Sequence, residues 1–325
     1  MNFFKDKKIL ITGGAGYLAF NIVNLLKNVE CHITRLDRPG ASFAPIMGVA
    51  RVEDIYADIR DHVDWNAMLM DVDIVFHFAA QTSVYVANEN PHADLAINVL
   101  PMLHMLDACR QNKYHPTMLF SGTVTEVGLP LRLPVDESHP NNPITVYDMH
   151  KLMAEYYLKH FIDDGILLGS VLRLANVYGP GPRSGSADRG VLNMMVSRAL
   201  NGNELTVYGD GCFIRDYIYV EDVASAFLRA AVNIDMTSGK YFVIGSGNGH
   251  TITDAINLVA SRVEHKTGRI AKVVHVEPPA MLSPIEQRNF VANTGRFTEA
   301  TDWHAKVSLL EGIDRTIDFY LDNAI

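Results

Sequence analysis

The sequence predicts an α/β protein: a doubly wound parallel sheet followed by a smaller C-terminal α/β lobe. Three observations carry that reading. Predominantly apolar or β-branched runs of strand length alternate with helical patterns through the first half of the 325-residue chain. A glycine-rich turn joins the first run to the first helical pattern. From about residue 178 the texture changes to shorter elements, starting at the loop Gly179-Pro180-Gly181-Pro182.

Taken in order, Ile9–Thr12, Ile33–Leu36, Ile74–Phe78, Thr117–Ser121 and Leu167–Leu174 read as strands. None alternates apolar with polar, as expected of parallel strands covered on both faces. Helical patterns lie around 17–27, 92–112 and 146–163. Past the Gly-Pro loop, Gly185–Gly190 has loop composition. A helix follows near 190–200, then short strands at Leu205–Val207 and Tyr241–Ile244, with helices near 221–232, 252–264 and 307–322. This divides the chain into a first domain, 1–178, and a second lobe, 179–325, with a segment of about 212–245 returning to the first.

Composition narrows the function classes. The chain is 48% hydrophobic, enough for a large core, and its net charge of −9 argues against a general nucleic-acid or membrane-surface binder. Cys31, Cys109 and Cys212 are scattered and lack metal-ligand spacing, which fits buried thiols in a reducing compartment and predicts no metal site. Lys5, Lys7 and Lys8 lead straight into a strand rather than into a signal-peptide core, and no apolar run reaches membrane-spanning length. A cytoplasmic location is the expectation.

The first motif is Thr12-Gly13-Gly14-Ala15-Gly16-Tyr17-Leu18-Ala19. Directly after a strand and opening a helix, it fits a dinucleotide pyrophosphate. Gly13 permits the tight turn, Gly16 lets the phosphates approach the backbone, and the helix start aims free N–H groups at them. Asp37 falls at the end of the second strand, where a carboxylate accepts from ribose hydroxyls and repels a 2′-phosphate. That favours NAD over NADP, although Arg35 and Arg38 lie close, and a solvated loop carboxylate is the plainer alternative. Asp58 follows another strand and is a candidate contact for the adenine amino group.

The second motif is Tyr147-Asp148-Met149-His150-Lys151, which sets a phenol and an ammonium on one face of a helix. The ammonium, with a cationic nicotinamide nearby, favours the phenolate and readies the tyrosine as an acid/base. Thr123 lies just past a strand, at the carboxyl edge of the sheet where such sites form.

Together these motifs resemble the extended short-chain dehydrogenase/reductases with a Rossmann-type sheet, specifically the sugar-nucleotide epimerase/dehydratase group. The resemblance spans nearly the whole chain and is also carried by His77-Phe78-Ala79-Ala80, Asn98, Arg173–Pro180 and Arg215–Val220. It implies Tyr147 as acid/base, Lys151 on the nicotinamide ribose and Thr123 as hydroxyl partner. Ala79 and Ala80 would line the cofactor, and Asn98 would support the active-site helix. Asn176, Asn193, Arg215 and Arg288 would meet a nucleoside-diphosphate sugar, the arginines at its phosphates. The resemblance also implies a homodimer paired through the helices at 92–112 and 146–163, whose candidate outer residues are Met102, Met105, Tyr156 and Tyr157, which read equally well as core.

Four reactions are open on such a site. A 4,6-dehydratase needs an Asp-Glu pair directly after the threonine, and Val124 and Thr125 stand there instead. A decarboxylase needs a glutamate, and Glu126 arrives one place late; its plain reading is a solvated loop carboxylate. An NAD-dependent C4 epimerase therefore leads, and a 4-keto nucleotide-sugar reductase shares the same residues. A binding protein with a relic site is the reading from outside enzymology.

Overall fold

A computed structural model describes residues 1–61, 63–182 and 190–323. Most of the Gly185–Gly190 stretch, expected as loop, lies outside them. Six strands appear in the first half: β1 (Lys8–Thr12), β2 (His32–Asp37), β3 (Arg51–Tyr56), β4 (Ile74–His77), β5 (Thr117–Thr123) and β6 (Leu168–Leu174). Then come β7 (Asn176–Tyr178), β8 (Leu205–Tyr208), β9 (Ile214–Tyr219), β10 (Lys240–Ile244), β11 (Gly249–Thr251) and β12 (Val273–Val276).

One parallel sheet of seven strands runs in the order β10-β6-β5-β4-β1-β2-β3. The order reverses between β1 and β4, which makes the crevice beyond their carboxyl ends the natural ligand site. Register sets the ends level: Thr12 lies beside both Leu36 and His77, and His77 beside Phe120. The late strand β10 closes the sheet beside β6, and the helix Val220–Val232 packs on the same face as Tyr17–Leu26, through Phe227, Val223 and Ile22. The other face buries the helices Leu100–Asn112 and Val146–Asp163 through Met102, Met105, Ala154 and Leu158. A separate core gathers Leu192, Val196, Ile256, Val259, Ile313 and Ile317 around β8 and β9.

The structure corrects three expectations. The helical stretch 92–112 is two helices, Pro91–Asn98 and Leu100–Asn112, broken at Val99 (φ −120°, ψ −52°). Pro101 has no N–H to return to Ile97, so the helix restarts there. Met102 and Met105 are not on an outer face but fully buried, whereas Met149, Met153 and Tyr156 are exposed. Strand β3 was not among the apolar runs, because it is an edge strand with charged residues facing out.

Candidate active site

The glycine turn is forced by packing before any ligand arrives. Gly13 has φ +69°, and a Cβ there would come within 2.7 Å of the Ala79 nitrogen. A Cβ on Gly14 would lie 2.5 Å from Arg35 Cβ, and one on Gly16 would lie 2.8 Å from the Gly13 carbonyl oxygen. These contacts press the turn between β2 and the end of β4. The helix Tyr17–Leu26 then begins at Gly16, and among the described residues no side chain caps it. Its first amides, including those of Tyr17 and Leu18, are donors suited to an anionic pyrophosphate. The Tyr17 side chain turns away: its ring faces Gly181 and its hydroxyl is buried. Burial, with Tyr320, Tyr178 and Tyr219 close by, pushes that phenol well above its usual range. Only the Tyr17 backbone is therefore presented to the cofactor side.

Asp37 is no solvated loop carboxylate. Its Oδ2 accepts from the Ala15 N–H at 3.0 Å and its Oδ1 from the Arg38 N–H at 2.8 Å. It ties the end of β2 to the turn, and each oxygen keeps a lone pair for a ribose hydroxyl. Arg35 is buried and forked onto Asp54 at 2.7 and 2.9 Å, so it is spent inside the sheet layer. Asp58 pairs with Arg60 at 2.6 Å, and that partner holds its carboxyl below the ordinary range. Ala79 follows β4 and donates its N–H to Thr12 Oγ1 at 3.3 Å, with Ala80 next in the chain. Asn98 is buried and donates to the Gln81 carbonyl and to Asp94, both at 3.0 Å. Asp94 in turn accepts from Gln81 and contacts His150 Nδ1 at 2.7 Å, which links the loop after β4 to the helix Val146–Asp163.

Thr145 caps the helix Val146–Asp163 by accepting from the Asp148 N–H at 3.2 Å. Tyr147 and Lys151 stand one turn apart at its start, and Thr123 ends β5. Lys151 is 2% exposed, with its ammonium 4.0 Å from the Phe120 ring centroid. Burial lowers it to about 8, against the pull of Glu126, Asp94 and Glu155. Below that value a buried cation stands on the tyrosine's face of the helix, as the acid/base assignment requires.

Glu126 is not solvated. It is fully buried, its Oε1 accepts from the Thr123 N–H, and its Oε2 lies 2.8 Å from Arg173 Nε. Arg173 also forks onto Glu155 at 2.9 and 2.7 Å. The reading of Glu126 as an exposed loop carboxylate is thus overturned by burial in an ion cluster. Sequence reasoning also passed over Asp148, which is fully buried and accepts from Thr125 Oγ1.

On the substrate side, Arg215 and Arg288 come together in a buried pair. Arg215 donates to the backbone carbonyls of Arg288, Ile214 and Glu286. Arg288 Nη1 donates to the Ile285 carbonyl at 2.9 Å, and its buried Nε has no partner among the described residues. Burial first, then the Arg215 charge, lowers Arg288 to about 10. The two buried guanidiniums face Glu286 and Asp148, and the Arg288 Nε–H without a partner among the described residues is a donor suited to an anion. Asn176 on β7 has a buried Oδ1 without a partner among the described residues. Asn193 differs: its amide both accepts from and donates to Gly179, at 2.9 and 3.0 Å, which makes it a clamp on the loop after β7.

Fold and sequence together place the chain among dinucleotide-dependent enzymes. The chain belongs to the NAD dependent epimerase/dehydratase family, whose model matches residues 9–245. It is 29% identical over 322 residues to a UDP-glucose 4-epimerase of Mycolicibacterium smegmatis, covering 96% of this chain and 98% of that one. The UDP-glucose 4-epimerase of Thermotoga maritima, solved with UDP-glucose, superposes with TM-score 0.86 at 28% identity over 98% of this chain and 100% of that one. The NAD complex of the Thermus thermophilus UDP-glucose 4-epimerase gives TM-score 0.83 at 28% identity over 97% and 99%. Relatives of similar identity include a dTDP-glucose 4,6-dehydratase and a UDP-glucuronic acid decarboxylase. Among the described residues, no helix is long and apolar enough to cross a membrane.

Proposed function

We propose that this chain interconverts the C4 epimers of a nucleoside-diphosphate sugar through a transient 4-keto sugar, without net consumption of NAD. The observation that carries this reading is the placement of the uncapped glycine turn, Thr123, and the Tyr147–Lys151 helix at one carboxyl edge of the sheet. Bound NAD supplies the hydride acceptor and donor; the turn, Asp37 and Lys151 would hold it. Tyr147 takes the carbinol proton and returns it, with the Lys151 ammonium stabilising the phenolate. Thr123 contacts the reacting hydroxyl, and Arg288 and Arg215 receive the diphosphate, with Asn176 toward the sugar.

Dehydration and decarboxylation lack support here. Val124 and Thr125 carry no carboxylate, and Glu126 is bound to the Thr123 amide and Arg173. The named relatives make uridine the first base to test. Exposed Met149, Met153 and Tyr156 on the catalytic helix support pairing of two copies along that helix.

Proton NMR on a panel of UDP-, dTDP-, CDP- and GDP-sugars tests the reading. Conversion between C4 epimers with no loss of reduced cofactor is expected. Stoichiometric consumption of the reduced cofactor would select the reductase instead, and unchanged configuration across the panel would refute epimerisation.

A further inference from the structure

Asp148 follows the tyrosine directly, yet its side chain serves the threonine. It is fully buried, and its Oδ1 lies 2.5 Å from Thr125 Oγ1. Thr125 Oγ1 lies 2.8 Å from Thr123 Oγ1, and the Thr125 N–H points at that same Thr123 oxygen at 3.3 Å. The Asp148 Oδ2 is buried without a hydrogen-bond partner among the described residues; burial raises the carboxyl above its ordinary range, and the hydrogen bonds from Thr125 and Thr145 and the Arg288 charge pull toward the ionised form.

Resting on the epimerase reading above, we propose that Asp148 is a positioning residue that, through Thr125, makes the Thr123 hydroxyl a hydrogen-bond acceptor toward the substrate. The argument is one of proton counting. An ionised carboxylate has no hydrogen to give, so Thr125 must donate to Asp148. A hydroxyl has a single hydrogen, so Thr125 then meets Thr123 with lone pairs only, and Thr123 must donate to Thr125. With its hydrogen spent and one lone pair facing the Thr125 amide, Thr123 has only a lone pair left for a ligand. A sugar hydroxyl can donate to it, whereas a carbonyl or a fluorine cannot. Val124 and Thr125 fill the places that would hold carboxylates in a dehydratase, and here Thr125 serves a different end: it transmits a fixed polarity. A protonated Asp148 would send the chain the other way, with Thr123 donating to the ligand.

Isothermal titration of the NAD-loaded protein tests this with two ligands: the nucleotide sugar turned over in the panel and its 4-deoxy-4-fluoro analogue. The wild type should bind the hydroxyl ligand about fivefold more tightly, the size of one neutral hydrogen bond. Thr125→Val frees the Thr123 hydrogen, so the ratio should fall to near one, and Thr125→Ser should restore it. Thr125→Ala serves the same purpose should the valine variant not fold. A wild-type ratio near one, or the same ratio in wild type and variant at equal melting temperature, would overturn the proposal. No turnover of any nucleotide sugar would instead remove the epimerase reading beneath it.

Discussion

The Glu126 carboxylate accepts from the Thr123 N–H at 3.1 Å, so the acidic side chain of the short helix after β5 is fixed to the backbone of the residue it could have assisted. The bond closes a capping box on the short helix Val124–Val127 and turns the carboxylate inward to Arg173. Burial and the neighbouring Glu155 charge push the Glu126 carboxyl well above its ordinary range.

Glu126→Gln should therefore leave turnover within about threefold, because a neutral amide can keep the Thr123 contact. A glutamate acting as base would cost about 10²-fold or more. Initial rates on the accepted nucleotide sugar separate the two outcomes.

Tyr147→Phe should lower turnover by about 10²-fold or more while NAD stays bound, as for a lost general acid/base. Rates and cofactor content of the purified variant check it. Loss of NAD from the variant would assign the phenol a structural role.

Asp37→Ala should weaken NAD by about tenfold, since one change removes both the ribose acceptor and a charge-assisted bond to Ala15. The preference for NAD over NADP should shrink at the same time. Equilibrium titration with each dinucleotide reads both effects, and an unchanged preference would clear Asp37 of the discrimination.

His77 gives a pH prediction with a definite sign. Its ring is buried, lies 2.6 Å from Thr12 Oγ1, and is stacked on Phe120. Burial, then the Lys151 charge, lowers it from 6.5 to about 3. The folded state keeps this ring neutral where the unfolded chain protonates it, so protons favour unfolding. Its contribution is fully present above pH 6.5 and is lost as pH falls from 6.5 toward 3, by about 1.4 kcal/mol per pH unit. Urea unfolding of His77→Asn across that window should show a slope shallower by about one proton; an unchanged slope would refute the buried neutral imidazole.

Much of the fold was readable because buried parallel strands must be continuously apolar and helix starts carry their caps. The return of Tyr241–Ile244 to the sheet was readable for the same reason, as β10 is apolar and buried where it meets β6. Strand β3 was less legible, since an edge strand tolerates Arg51, Glu53 and Asp54. The break at Val99 depended on one proline inside a good helical pattern. Spacing and motif singled out Tyr147, Lys151 and Thr123 as candidates, but the inward turn of Glu126 could not be read from them. Its fate depends on Arg173 and Glu155, brought to it from β6 and the helix Val146–Asp163. Asp148 and Asn193 were obscured likewise, because their partners Thr125 and Gly179 are set by tertiary contact.

The central claim is that configuration is inverted by removing and returning the same carbon-bound hydrogen, with only the hydroxyl proton handled by Tyr147. Epimerisation run in deuterium oxide and followed by mass spectrometry tests it most directly. Product carrying no carbon-bound deuterium is the predicted result. One deuterium at the inverted carbon would show proton abstraction from carbon and would contradict the account.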